Sequence, residues 1–254
     1  MRYPTAFLAG AIILFGLTLG VSAEPIRLAT GEWPPYTSAG MEGGGVVSKI
    51  IDRVFERMGI EYELVFYPWP RCYEAVVHGR VWGAFPHART PEREKEVRFS
   101  VPILPSASSL FYYGRASSEF RFQKIEDLGA YRVGGVRGYY YEAIFKSAGV
   151  TLDYVDNPEQ GFGKLVLGRN DLFVANELVG WYLIQRTFPD KSKNFGTLNR
   201  SLDRHGLHII VNRSDPVSLA LLTRFNDALA EVKNELFYAS VLERLTHIGA
   251  GDGP

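Results

Sequence analysis

The chain has 254 residues, with 28 Lys and Arg against 28 Asp and Glu, five His and one Cys. Balanced charge gives no support for a nucleic-acid partner, and a single cysteine excludes an internal disulfide and a cysteine-built metal cluster. The aromatic content, 16 Phe, 14 Tyr and 4 Trp, suffices for a core and leaves rings over for a binding cleft.

Arg2 is a positive head for the apolar stretch Ala6 to Val21, and Val21-Ser22-Ala23 has the small-x-small form of a secretory cleavage site. Residues 1–23 therefore read as a signal peptide, a membrane anchor being the alternative for a run of that length. No cysteine stands at the junction, so no lipid anchor is expected. The mature chain would keep 231 residues with 27 basic and 28 acidic side chains, and would be soluble and exported.

Ile26 to Thr30 alternates as a strand and runs into Gly31-Glu32-Trp33-Pro34-Pro35-Tyr36, a proline-stiffened loop with two large rings. Val46, Val47, Ile50, Ile51, Val54, Phe55 and Met58 then recur at helical spacing between Gly43-Gly44-Gly45 and Gly59. Tyr62 to Tyr67 is a second strand, Pro68 to Arg71 a loop, Cys72 to His78 a helix stopped by Gly79, and Trp82 to Pro86 a buried strand. Next, Thr90 suits an N-cap, Pro91 the first helical position, and Arg93 falls in the first turn. A strand end beside the free amides of a helix is a ready anion site, a capped surface helix being the bland alternative. Val97 to Pro102 returns to extended chain. This grammar builds a parallel sheet covered by helices.

After the small residues Ser106 to Ser109 come a strand at Leu110 to Tyr113 and a second alternating unit. Its elements are a strand at Arg132 to Val136, a turn at Gly138 and a helix at Tyr139 to Ala148. A strand at Leu152 to Val155, a helix around Phe162 to Leu167, a strand at Leu172 to Ala175 and a helix at Glu177 to Phe188 follow. Leu207 to Val211 reads as a strand. Asp215 caps a helix with Pro216 first and Leu219, Leu222, Phe225, Leu229 and Val232 along one side. A last helix covers Leu236 to Leu245 before a frayed tail at 249–254. The expected fold is α/β in two lobes, with crossings near Ser106 and near Asp203 to His205. The first lobe would take 24–104 and 206–248, and the second 105–205. Ligands of such sheets sit beyond the carboxyl ends of the strands, here at Glu32 to Tyr36, Pro68 to Arg71, Pro86 to Arg93, Arg137 to Tyr141 and Asn176-Glu177.

Several segments in this order resemble the periplasmic solute-binding proteins of the amino-acid-binding family 3 type, receptors of ABC importers. They are the W-P-P-Y loop, the Gly-rich approach to the first helix, P-W-P-R, T-P-E-R followed by F-S-V-P, the G-G-V-R-G turn, G-R-N-D before a strand, and F-N-D-A-L in a late helix. The resemblance covers nearly all of the mature chain, and T-P-E-R with F-S-V-P is its most specific part. It implies two α/β lobes joined by two strands and closing on a small ligand, the type II binding-protein architecture, with a membrane permease as partner. It implies a monomer and no cofactor.

Carried over by position, Arg93 resembles the arginine that clamps a ligand carboxylate, a role its forked guanidinium suits; an ion pair with Glu92, Glu94 or Glu96 is the alternative. Trp33 and Tyr36 resemble an aromatic wall, and Trp69 a pocket position or core packing. Arg71 would face the cleft or solvent. Two loops depart from the pattern: Pro86 and Ala88 stand where a small hydroxyl residue is usual, and Tyr139, Tyr140 and Tyr141 follow Gly138. Tyr139 and Tyr140 are pocket wall or a packed first turn. Asn176 stands where an aspartate usually holds an α-ammonium, so either the adjacent Glu177 takes over or the ligand is not an ordinary α-amino acid.

An enzyme on the same fold, of the cyclohexadienyl dehydratase kind, is the rival reading, with Glu177, Glu32 or His87 as acid or base. No catalytic spacing supports it: there is no Gly-x-Ser-x-Gly, no His-Glu-x-x-His and no Gly-Lys-Ser/Thr. The scattered histidines His78, His87, His205, His208 and His247 give no metal spacing and read as surface or structural. A sensory module presenting its ligand to a membrane receptor is a third class.

Overall fold

Strands β1 (Ile26–Thr30), β2 (Tyr62–Phe66) and β3 (Gly83–Ala88) open the first lobe in a computed structural model that describes residues 25–249. They run parallel in the order β2-β1-β3, linked by helices α1 (Val46–Met58) and α2 (Trp69–Val77). The expected signal peptide and all of the expected tail beyond Gly249 lie outside the described residues.

Two long strands then carry the chain across and back. After β4 (Val97–Phe99), β5 (Leu104–Tyr113) crosses into the second lobe. That lobe holds β6 (Val133–Val136), α3 (Glu142–Ser147), β7 (Leu152–Val155), α4 (Pro158–Val166), β8 (Leu172–Asn176), α5 (Glu177–Thr187) and β9 (Phe195–Thr197). Strand β10 (Asp203–Asn212) returns, and α6 (Pro216–Val232) and α7 (Leu236–Gly249) complete the first lobe. Strands β5 and β10 pair antiparallel from Asp203 opposite Ser108 to Leu207 opposite Leu104. Both lobes are thereby parts of one continuous sheet, ordered β2-β1-β3-β10-β5-β8-β6-β7. The architecture is α/β and two-lobed, with two strands at the hinge.

The helical periods read from the sequence account for the packing. In α1 the stripe Val47, Ile50, Ile51, Val54 and Phe55 is buried, and Phe55 meets Phe225 of α6 with ring centroids 6.1 Å apart. Gly45 starts α1 at φ 101°, where a Cβ would stand 2.6 Å from the carbonyl oxygen of Tyr36, so only glycine fits this junction. Asp215 caps α6, accepting from Val217 N–H and Ser218 N–H at 3.1 Å each. In the second lobe, Phe111 of β5 packs edge-on against Phe162 of α4 at 5.2 Å and Trp181 of α5 at 5.5 Å.

Several expectations are corrected. The helix expected after Thr90 is only a 3-10 turn at Arg93–Lys95: Thr90 Oγ1 does accept from Arg93 N–H at 3.3 Å, but T-P-E-R-E-K-E offers no apolar stripe to bury. The loop after β3 therefore leads to no α-helix N-terminus. The helix expected from Cys72 begins at Trp69, because Pro70 in the first turn needs no helical partner for its nitrogen. The helix expected from Tyr139 begins at Glu142, since the Tyr141 hydroxyl is taken up inside, accepting from Val136 N–H at 2.8 Å. Ser106 to Ser109 do not break a strand: they lie inside β5, where small side chains suit the crossing. Gly249 ends α7 and is not part of a tail.

Candidate functional site

A cleft of about 480 Å³ lies on the hinge, lined by both lobes and by the crossing strands. This size suits a small molecule. Sheet alternation explains its floor: Asp203, His205 and Leu207 share one face of β10, opposite Ser108, Ser106 and Leu104 of β5. Ser108 also pairs with Asn176 at the end of β8, so Asp203, Ser108 and Asn176 form one lateral row.

The first lobe supplies an aromatic wall and one cation. Trp33 and Trp69 meet edge to face at 6.2 Å, and Trp69 lies so close on the Gly31 backbone that a Cβ there would stand 2.6 Å from Cε2. Trp33 Nε1 is buried without a hydrogen-bond partner. The Arg93 side chain turns back to donate from Nη1 to the Ala88 carbonyl at 3.0 Å, with its Cζ 5.8 Å from the Tyr73 ring centroid. Partial burial lowers the Arg93 pKa, and among the described residues it makes no ion pair. Glu74, Glu92 and Glu96 also line the cleft without pairing to Arg93: Glu96 accepts from the Tyr73 hydroxyl at 2.8 Å and Glu74 and Glu92 are exposed, while Glu94 accepts from Arg89 at 2.6 Å.

His87, on β3, is 5 % exposed and stands edge-on to Trp69 at 5.6 Å, its Nε2 buried without a partner. Burial, reinforced by the Arg93 charge, pushes its pKa down to about 3, so the ring is neutral at physiological pH.

The second lobe and hinge supply a hydrogen-bonded chain. The Tyr140 hydroxyl lies 2.8 Å from Ser108 Oγ and 2.7 Å from Asp203 Oδ1, and Asp203 Oδ2 lies 3.0 Å from His205 Nδ1. Tyr140 also meets His205 edge to face, centroids 4.7 Å apart, and His205 Nε2 is buried without a protein partner.

The residues singled out from sequence therefore separate. Trp33, Trp69, Ala88, Arg93, Tyr139, Tyr140 and Asn176 all line the cleft. Tyr36 does not: it is 3 % exposed, sits behind Trp33 at 4.7 Å, and burial raises its pKa to about 12. Arg71 is turned to solvent over the Tyr67 ring, 4.5 Å from its centroid, because the early start of α2 puts it on an outer face. Glu177 stays outside too, its Oε1 taken by the hydroxyls of Ser109 and, at 2.8 Å, Ser201. Asn176 is committed to structure: Oδ1 accepts from Val179 N–H at 3.1 Å as the cap of α5, and Nδ2 donates to Ser106 Oγ at 2.7 Å and Ala107 O at 3.1 Å. Of the rival acid–base candidates, His87 is in the cleft, whereas Glu32 accepts from Ala39 N–H at 2.8 Å and does not line it.

Sequence reasoning missed Tyr73, Ser108 and His205 as cleft residues. The alternation Asp203-x-His205-x-Leu207 in a crossing segment was the available signal for His205. Ser108 carried none beyond its small size. Tyr73 lies one helical turn from Trp69, a link visible only once the helix starts at Trp69.

Among the described residues no helix is long and apolar enough to cross a membrane. A comparison with curated proteins finds no match. Solved structures share the fold. A histidine kinase sensor domain similar to periplasmic binding proteins aligns at TM-score 0.75 and 20% identity, over 87% of this chain and 96% of its own. The GluR0 ligand-binding core from Nostoc punctiforme, in complex with L-glutamate, aligns at 0.73 and 20% identity, over 87% and 99%. The ancestral amino-acid-binding protein AncCDT-1, a precursor of cyclohexadienyl dehydratase, aligns at 0.70 and 20% identity, over 87% and 94%. The model of the bacterial extracellular solute-binding proteins, family 3, matches residues 26–245, and the chain belongs to that family.

Proposed function

We propose that this chain is an exported receptor that closes its two lobes on a small carboxylate-bearing solute and delivers it to an ABC permease. The observation that carries the reading is Arg93, a partly buried cation in an aromatic cleft with no carboxylate paired to it. A ligand carboxylate would complete its fork, and exclusion of water on closure would strengthen the pair. The N-terminal segment 1–23 is read as the export signal, 24–104 with 206–248 as the first lobe and 105–205 as the second. Periplasmic location follows from that reading.

An ordinary α-amino acid is a poor fit. Its ammonium would need an acceptor from the second lobe, yet Asn176 spends its oxygen on Val179 and Glu177 is held by two serines. The solute is thus an acid related to amino acids but without that demand. The sensor-domain relative supports a second reading, in which the same closure is reported to a membrane receptor in place of a permease. A dehydratase-like activity has His87 and the Asp203–His205 pair of the cleft in its favour, and none of the catalytic sequence spacings.

The test is a thermal-shift screen of mature protein, unfolded and refolded to strip carried ligand, against amino acids, organic acids, amines and short peptides. A compound at a hundred times its Kd adds about 2.7 kcal/mol of stability. The expected hit is a carboxylate, recovered unchanged, with no effect on Arg93→Ala. A hit that is consumed replaces the receptor with an enzyme, and a hit that still stabilises Arg93→Ala removes the clamp.

A further inference from the structure

The cleft pairs its cation with an imidazole acceptor that the family reading leaves without a role. Asp203 Oδ2 lies 3.0 Å from His205 Nδ1, and the Tyr140 hydroxyl, 2.7 Å from Oδ1, holds that carboxylate in place. A carboxylate facing Nδ1 keeps the ring proton on that nitrogen, which leaves the lone pair on Nε2. Nε2 has no protein partner, and the His205 side chain is only 14% exposed in the cleft wall. An unpaired buried acceptor is costly, and a ligand donor removes that cost.

Its position relative to Arg93 follows from strand geometry. His205 lies two residues from Leu207 on β10, about 7 Å along the strand. Leu207 pairs directly with Ala88, whose carbonyl holds Arg93. The two anchors therefore stand within the length of one small ligand, and the cleft they share is also lined by Trp33, Trp69 and Tyr139. Those flat apolar faces select a ring.

We infer that the solute is an aromatic carboxylic acid without an α-ammonium, with a hydroxyl or ring N–H at its far end that donates to His205 Nε2. The inference rests on Arg93 as the carboxylate clamp. It makes His205 a specificity residue, and Asp203 and Tyr140 its positioning residues.

The experiment titrates refolded protein by calorimetry with 4-hydroxyphenylacetate, phenylacetate, L-tyrosine and L-phenylalanine. The first is expected to bind at least about tenfold more tightly than the second, which lacks the donor. That ratio should fall to near one in His205→Phe, which keeps the ring against Tyr140, and shrink in Asp203→Asn, which frees the tautomer. Arg93→Ala should abolish both. Equal binding of the two acids, a ratio that survives in His205→Phe, or binding of the amino acids alone overturns the inference. Of these, amino-acid binding lost in Arg93→Ala leaves the receptor reading standing. Failure of all four probes overturns the inference, and only failure of the wider screen as well removes the receptor.

Discussion

His87 shows how one side chain ties the cleft to stability. Burial holds its pKa near 3, with the Arg93 charge acting in the same direction, whereas an unfolded chain restores about 6.5. The unfolded state therefore binds the extra proton, so the stability of the neutral ring is fully present above pH 6.5 and is lost as pH falls towards 3. Between pH 7 and pH 5 this single group should remove about 2 kcal/mol. Urea unfolding of wild type and His87→Phe at both pH values measures it: the variant should lose less on acidification by about that amount. Equal losses would mean that His87 protonates freely in the folded cleft. Asn176 teaches a second lesson at this scale. Its identity could be read from the sequence, and so could its place before a helix, the usual setting of an N-cap. What could not be read is that both ends of its amide are spent on protein partners, because Ser106 and Ala107 reach it only through the pairing of β5 with β8.

Helices and strands were more legible than single side chains, since periodicity is a local property. The stripe of α1, the cap of α6 and the strands β1 and β8 all lie where the sequence puts them. Failures cluster where one local sign misleads: the cap-and-proline signal at Thr90 leads only to a 3-10 turn, since no apolar stripe follows it, and the rings of Tyr139 and Tyr140 turn into the cleft instead of opening a helix. Close approach of helix to sheet was equally hidden. At Gly180 of α5 a Cβ would stand 2.3 Å from Cζ of Phe111, a buried ring on β5. Gly180→Ala gains up to about 1 kcal/mol in helix propensity yet forces this contact apart, at a typical cost of about 1–3 kcal/mol. The expected outcome is a net loss in urea unfolding. A stabilised variant would show that α5 can retreat from the sheet without harm.

For the whole molecule, the joint matters more than either lobe. β10 and β5 are hydrogen-bonded side by side where they cross, and Tyr140 of the second lobe reaches across to Ser108 on one strand and Asp203 on the other. Tyr140→Phe keeps the ring and cuts both ties. Amides of Asp203 to Leu207 should then exchange with deuterium several-fold faster, while the β1–β2 edge, far along the sheet, stays protected. Unchanged exchange at the crossing would show that strand pairing alone sets its stiffness. Two lobes were expected from the doubled βα grammar, but that they share one sheet was not, because no local pattern reveals which strands become neighbours.

Cys72 gives this joint a practical use. The one thiol of the chain is wholly buried on α2, with Sγ 3.5 Å from the Tyr67 carbonyl oxygen and a pKa that burial raises to about 11. Thiol reagents attack an exposed thiolate, and the native fold provides neither exposure nor charge there. A cysteine added at the lip of the cleft would therefore be the single position to take a fluorescent dye, with no native residue replaced to silence a competitor. The protein is in that sense already prepared as an optical reporter, and lobe movement on titration with any solute could be read directly as a change in dye emission.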